Sequence, residues 1–288
     1  MGKISSVVIP VAGLGTRVLP ATKSIPKELL TVVDKPLIDY VVEEAVSAGI
    51  EKIILVTGRG KSAIEDYFDH AFELEATLSQ KGKTDILDSV VSRIPEAGNV
   101  IFTRQQAPLG LGHAVWCARN IVGDEPFAVA LPDEISARAP GFLSELVGAY
   151  NDVEGNLVAV EEVALEDTQK YGVIDPGTKN GNLIEMKGMV EKPKPSDAPS
   201  RYRIIGRYVL QPEIFALLEQ QKAGAGGEIQ LTDAMATLNQ QQPFHATVCS
   251  TPIHDCGSKI GWLKANVDMA LQRPDLQKEF ASFLSDQS

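Results

Sequence analysis

The spacing of apolar residues changes along the chain, and each change marks an element. Val7 to Val11 is a run long enough for one buried strand. From Leu37 to Ala48 the spacing turns helical, placing Leu37, Ile38, Val41, Val42, Ala45 and Val46 on one stripe. Pro36 suits its first turn and Gly49 its C-terminal cap. The same reading gives a strand at 52–56, helices within 61–92, a strand at 100–104, a helix at 111–121 and a strand at 126–131. This alternation predicts an α/β protein, with a mainly parallel sheet and helices on both faces. Ligands in such sheets sit beyond the C-terminal strand ends. The segments after Val11, Thr103 and Leu131 fall there.

The second half is richer in strands. Leu157–Val163, Tyr171–Asp175, Leu183–Val190 and Tyr202–Leu210 alternate with Gly, Asn and Pro turns. Helices follow at 212–221 and 230–239, then a strand at 244–249 and a helical tail from Lys259 to Phe283, broken near Pro274. With no repeat or low-complexity linker, we expect one unit. It divides into residues 1–135, residues 136–257 and a helical extension, 258–288. Segment 71–95, helical with a mixed polar face, reads as an insertion or a subunit contact.

The first strand runs into a Gly-x-Gly turn at Gly13 and Gly15, followed by Arg17, Lys23, Lys27 and Lys35, with Glu28 and Asp34 among them. Glycines let a ligand approach the backbone, whose N–H groups can face anionic oxygens. Pro20, Pro26 and Pro36 should keep the segment extended rather than helical. Together these features predict a polyphosphate loop. A dinucleotide fingerprint fails, because its third glycine would be Val18 and Pro20 blocks a helix. Gly60-Lys61-Ser62 misses a Walker A loop, whose first glycine would fall at Leu55, and reads as a strand-to-helix turn.

Net charge is −11, which disfavours nucleic acid and anionic membrane as partners and makes the local cation cluster distinctive. Three cysteines without a framework pattern, and no long apolar stretch, fit a soluble cytoplasmic protein.

Asp133, in Leu131-Pro132-Asp133-Glu134 at a strand end, is either a turn residue or, beside a phosphate loop, a magnesium ligand that Glu134 could assist. Asp255 is either a second ligand or a helix cap. Glu191 and Lys192 could meet a sugar hydroxyl and a phosphate, or form a solvated pair. Gly172 in a strand suggests close approach of a ligand, or a bulge. Gln105 carries both a donor and an acceptor and could read a pyrimidine edge, with the glycines near Gly110 admitting a flat base. His113 reads as a helix-packing residue, and spacing argues against zinc at His245, Cys249, His254 and Cys256. No general base stands out. Nucleotidyl transfer to a phosphate needs none, because the nucleophile is already anionic.

The runs GLGTRVLPATKSIPKELL, RQQAPLGLGHAV, LPDEI, YGVI, VEKP, GEIQLTDA and HDCGSKIGW resemble the bacterial UTP–glucose-1-phosphate uridylyltransferases over about residues 5 to 270. The resemblance implies a Rossmann-like nucleotide-diphosphosugar transferase fold, a homodimer or homotetramer, and Mg2+-dependent synthesis of UDP-glucose and pyrophosphate from UTP and glucose 1-phosphate. It implies that the backbone of Ala12 and Gly13, with Gly15 in the same turn, meets the nucleoside. Gln105 and Gly110 would recognise uracil, and Arg17 and Lys27 would hold the triphosphate, with Glu28 beside it. Asp133 and Asp255 would bind the metal, and Gly172, Glu191 and Lys192 the sugar phosphate. Thr31 and Glu134 depart from the family's usual proline and aspartate. The helical tail, in place of a left-handed β-helix domain, separates the chain from bifunctional N-acetylglucosamine relatives. Thymidylyl transfer and a non-catalytic nucleotide-sugar-binding subunit are the competing expectations.

Overall fold

The computed structural model describes residues 3–153, 155–221, 224 and 227–287. The strands are β1 (Ser6–Pro10), β2 (Thr31–Val32), β3 (Lys35–Pro36), β4 (Lys52–Thr57), β5 (Val100–Arg104), β6 (Phe127–Ala130) and β7 (Glu134–Ser136). They continue with β8 (Asn156–Glu162), β9 (Gly172–Asn180), β10 (Leu183–Glu191), β11 (Tyr202–Leu210), β12 (Phe244–Val248) and β13 (Ile253–Asp255). Nine form one mixed sheet in the order β5-β4-β1-β6-β11-β8-β12-β10-β9. β1 is central to the parallel part, pairing with β4 and β6, while β11 joins β6 and β8 antiparallel.

The helices are α1 (Leu37–Ser47), α2 (Ser62–Tyr67), α3 (Phe72–Gln80), α4 (Thr84–Val91), α5 (Leu111–Trp116), α6 (Arg119–Val122) and α7 (Phe142–Tyr150). After them come α8 (Ile214–Gln220), α9 (Leu231–Leu238), α10 (Lys259–Gln272) and α11 (Gln277–Ser285). Side chains alternate across the sheet with period two, so a strand buried on both faces needs apolar residues throughout. Val7 and Ile9 of β1 join Ile53 and Leu55 of β4 under α1 and α7. Val8, Ile54, Val56 and Val129 face α5, α8 and α9 on the other side.

Several expectations shift. Val46 of α1 is exposed, because the buried stripe is carried by Leu37, Ile38, Val41, Val42 and Ala45 alone. The expected 111–121 helix divides into α5 and α6. β9 runs on to Asn180, held by antiparallel pairing with β10 rather than by apolar residues. The 71–95 segment forms α3 and α4, which leave Phe72, Leu74, Ile86 and Val91 exposed. Among the described residues no helix is long and apolar enough to cross a membrane.

Candidate active site

Residues beyond β1 do not stay extended. They fold as three 3-10 turns, Thr16–Val18, Ala21–Lys23 and Lys27–Leu29, which the proline φ angles permit although a continuous α-helix is blocked. Gly15 reverses the chain at φ +66, and the Thr22 hydroxyl donates to its carbonyl over 2.7 Å. A Cβ at Gly15 would also press on Lys27 and Thr22 at 3.1 Å. The last turn delivers Lys27, whose Nζ donates to Asp133 Oδ2 over 2.7 Å.

Asp133 leaves the end of β6, and the β7–β13 pair places Asp255 opposite Glu134. The Cys256 N–H donates to the Asp133 carbonyl over 2.7 Å. Gly257 lies between the two carboxylates. A Cβ there would stand 2.9 Å from Asp133 Oδ2 and 3.0 Å from Asp255 Oδ1. Two carboxylates that share so small a space suit a hard divalent cation. Asp255 is held at both oxygens, accepting from the Gly257 N–H over 3.0 Å and from the Tyr171 hydroxyl over 3.3 Å.

Tyr171 leads into Gly172, which lies opposite Glu191 in the β9–β10 ladder. A Cβ on Gly172 would touch Thr232 Oγ1 at 3.3 Å and Glu191 Oε2 at 3.4 Å. Lys192 takes φ +48, uncommon for a side chain with a Cβ, while its N–H bonds the Tyr171 carbonyl over 3.0 Å. Its Nζ lies 3.0 Å from Glu191 Oε1. On the opposite flank, the Gln105 N–H bonds Thr57 O over 2.9 Å, and a Cβ on the next residue, Gly58, would meet Ala12 O at 3.2 Å. Gln105 Nε2 donates to Gly110 O over 3.0 Å. The residues singled out in the sequence thus fall into three groups: Gln105 with Gly110, Lys27 with Asp133 and Asp255, and Gly172 with Glu191 and Lys192.

A family model described as Nucleotidyl transferase matches residues 6–270. The chain belongs to the nucleotidyl transferase family. A UTP–glucose-1-phosphate uridylyltransferase of Bacillus subtilis (strain 168) is 49% identical over 99% of this chain and 97% of its own length. A UTP-bound UGPase from Acinetobacter baumannii is 46% identical with TM-score 0.91, covering 99% of this chain and 100% of that one. A UDP-glucose pyrophosphorylase complexed with UDP-glucose is 40% identical with TM-score 0.83, covering 94% and 100%.

In this nucleotidyl transferase the charge states follow from contacts. Burial works against the Asp133 carboxylate, but Lys27 and, more weakly, Arg17 outweigh it and hold the group below its ordinary value. Burial likewise opposes the Lys27 charge, and Asp133 and Glu28 together raise the ammonium above its usual value. Glu28 is fully enclosed, and burial raises its pKa despite Lys61 and Lys27. Its Oε2 accepts from Lys61 Nζ over 2.7 Å, while Oε1 has no partner among the described residues. Lys61, from the near-miss Walker sequence, therefore anchors the Lys27–Leu29 turn through Glu28.

Other expected participants face elsewhere. Glu134 does not assist Asp133. Its carboxylate is taken up by β11, where Oε1 accepts from Arg203 over 2.6 Å and Oε2 from the Gly206 N–H. Lys35 pairs with Glu43 and covers the Tyr40 ring at 3.8 Å, and Asp34 binds Arg273, because the chain turns between β2 and β3. Lys23 is exposed. His254 pairs with Asp268 and Cys249 donates to Thr251 O, so these two of the four discounted zinc ligands have separate partners.

The nucleotidyl transferase also uses residues that the sequence reading did not single out. Arg207, from β11, is buried and donates to the carbonyls of Leu131 (3.1 Å) and Glu134 (2.8 Å), bracketing Asp133. Its charge is met by buried Glu44 at 2.7 Å. The GEIQ segment closes over the loop of Gly110 and Gly112. Gly112 N–H donates to Ile229 O (2.8 Å), and a Cβ on Gly110 would strike Ile229 O at 2.8 Å. The helical tail binds the loop that follows Lys27: Trp262 Nε1 donates to Thr31 O (2.9 Å) and Asn266 Oδ1 accepts from Val33 N–H (2.9 Å). Of these residues only the glycines near Gly110 carried a sequence signal.

Proposed function

We propose that this chain transfers the uridylyl group of UTP to glucose 1-phosphate, forming UDP-glucose and releasing pyrophosphate. The observation that carries the reading is the meeting of Asp133 and Asp255 at Gly257, with Lys27 joining Asp133 to the glycine turn. UTP and UDP-glucose are named with relatives of 46% and 40% identity, which supports the same substrate and product here.

The reaction is an in-line displacement. A phosphate oxygen of glucose 1-phosphate attacks the α-phosphorus, and the bond to the β-phosphate oxygen breaks with pyrophosphate leaving. No proton has to be removed from the nucleophile, so positioning and charge supply the catalysis. Ala12 and Gly13 offer backbone to the nucleoside, Gly15 shapes the turn, and Gln105 and Gly110 take the uracil. Arg17 and Lys27 hold the triphosphate, with Lys27 exchanging Asp133 for phosphate oxygens. Glu28 keeps the loop seated through Lys61. Gly172, Glu191 and Lys192 receive the sugar phosphate, Lys192 turning its ammonium to the attacking oxygen. Asp133 and Asp255 would hold Mg2+, which when bound neutralises phosphate charge.

In this reading residues 1–135 serve the nucleotide and 136–257 the sugar phosphate, in a cytoplasmic homodimer or homotetramer. Purified protein offered UTP, dTTP, CTP and ATP with glucose 1-phosphate, with and without Mg2+, should release pyrophosphate best with UTP and only with a divalent ion. dTTP is the informative competitor, because one methyl group changes selectivity by only about 1–3 kcal/mol. Preference for a purine triphosphate, or no release at all, would overturn the assignment.

A further inference from the structure

Gln105 is almost enclosed, and its amide is engaged on one side only. Nε2 donates to Gly110 O over 3.0 Å and stands 3.0 Å from His113 Nδ1. A primary amide has two N–H groups, and these two acceptors use both. Among the described residues nothing bonds Oε1. Gly110 O can only accept, so it decides which end of the amide faces it. His113 Nδ1 must then carry its lone pair, which puts the ring proton on Nε2. The ring is kept in place by stacking on Trp116, centroids 5.7 Å apart, with Arg119 at 3.4 Å from the Trp116 ring. Burial, and secondarily Arg119, lowers the imidazole pKa, which favours the neutral form that this bond requires.

We propose that His113 is a specificity-determining residue that locks the Gln105 amide, so that this wall of the base pocket offers an acceptor and no donor. The inference rests on the reading that Gln105 faces the base. Uracil and thymine present a ring N–H to such an acceptor. Cytosine presents a ring nitrogen lone pair at the same position, and two facing acceptors leave both unpaired. With His113 present, turning an N–H to the base breaks two bonds; without it only the Gly110 bond is lost, so rotation of the soft terminal torsion can offer an N–H to cytosine. His113 thus acts through Gln105 rather than on the reacting atoms.

The test compares kcat/KM for UTP, dTTP and CTP in wild type, His113→Ala and His113→Asn. Asn places an amide oxygen near the position of Nδ1 and so retains an acceptor. Wild type should prefer UTP over CTP by about 10³-fold or more, as sites built to pair a polar group do. In His113→Ala the ratio should fall by at least about 10-fold, chiefly through improved use of CTP, while dTTP continues to track UTP. One lost hydrogen-bond constraint has about that size. In His113→Asn most of the ratio should return. An unchanged ratio in His113→Ala would refute the lock, and so would equal loss in both variants, which is what a packing role predicts. Wild-type protein that uses CTP and UTP alike would instead refute the placement of Gln105 at the base, so the two failures are distinguishable.

Discussion

Asp133 and Glu134 are neighbours in sequence whose carboxylates take different cations: Asp133 meets Lys27 at 2.7 Å, and Glu134 meets Arg203 at 2.6 Å. The first faces the glycine turn and the second faces the body of the sheet. Charge at the reacting end therefore depends on Asp133, with Asp255 beside it.

Asp133→Asn should lower kcat by at least about 10²-fold, the cost of losing one well-placed electrostatic partner. Its melting temperature should fall, because Lys27 is left charged without its partner, but the variant should remain folded at assay temperature, and Mn2+ binding followed by spin resonance should weaken. Turnover near the wild-type rate would remove Asp133 from the reaction.

Lys27→Met should change the pH dependence of stability. Asp133 has a depressed native value, so it contributes stability above its unfolded value of about 3.9, and this is lost as pH falls through the native value. Without Lys27, burial acts almost unopposed and the native value rises. The variant should therefore lose the stability Asp133 supplies near neutrality, and its unfolding free energy should decline less between about pH 6 and pH 3. Urea titrations at those pH values measure the difference, and an acid limb like that of wild type would contradict it.

Lys192→Ala should raise KM for glucose 1-phosphate and lower kcat, each by about 10-fold or more, with KM for UTP little altered. An interaction that strengthens toward the transition state affects both constants. Equal effects on the two substrates would place Lys192 elsewhere.

Arg207→Met should destabilise the protein by about 3–5 kcal/mol, because Glu44 is left charged and buried without its partner. The double variant Arg207→Met/Glu44→Leu should regain much of this in chemical denaturation. Its turnover should remain reduced, since the carbonyls either side of Asp133 keep no replacement donor.

Much of the architecture was legible because strands buried on both faces need apolar runs, as Val7–Ile9 of β1, Ile53–Val56 of β4 and Phe127–Ala130 of β6 provide. The glycine turn, Asp133 and Asp255 were legible as residue types that suit phosphate and metal. Lys35 was misread because a linear run of cations does not reveal the reversal at Val33, which takes φ +60 and is held by Asn266, 233 residues away. Glu134 could be read only once its partners on β11 were known. Tyr171, Arg207 and the GEIQ segment act through partners distant in sequence, and no local pattern announces such contacts.

The chain has two tryptophans, and the site engages both. Trp116 lies under the imidazole that steadies Gln105, and Trp262 is tied to the carbonyl of Thr31, just beyond the lysine turn. The molecule thus carries a native fluorophore beside each of two segments proposed to meet the nucleotide. With each replaced in turn by phenylalanine, the emission of the other becomes an unlabelled optical gauge, one for the arrival of the base and one for the arrival of the phosphates.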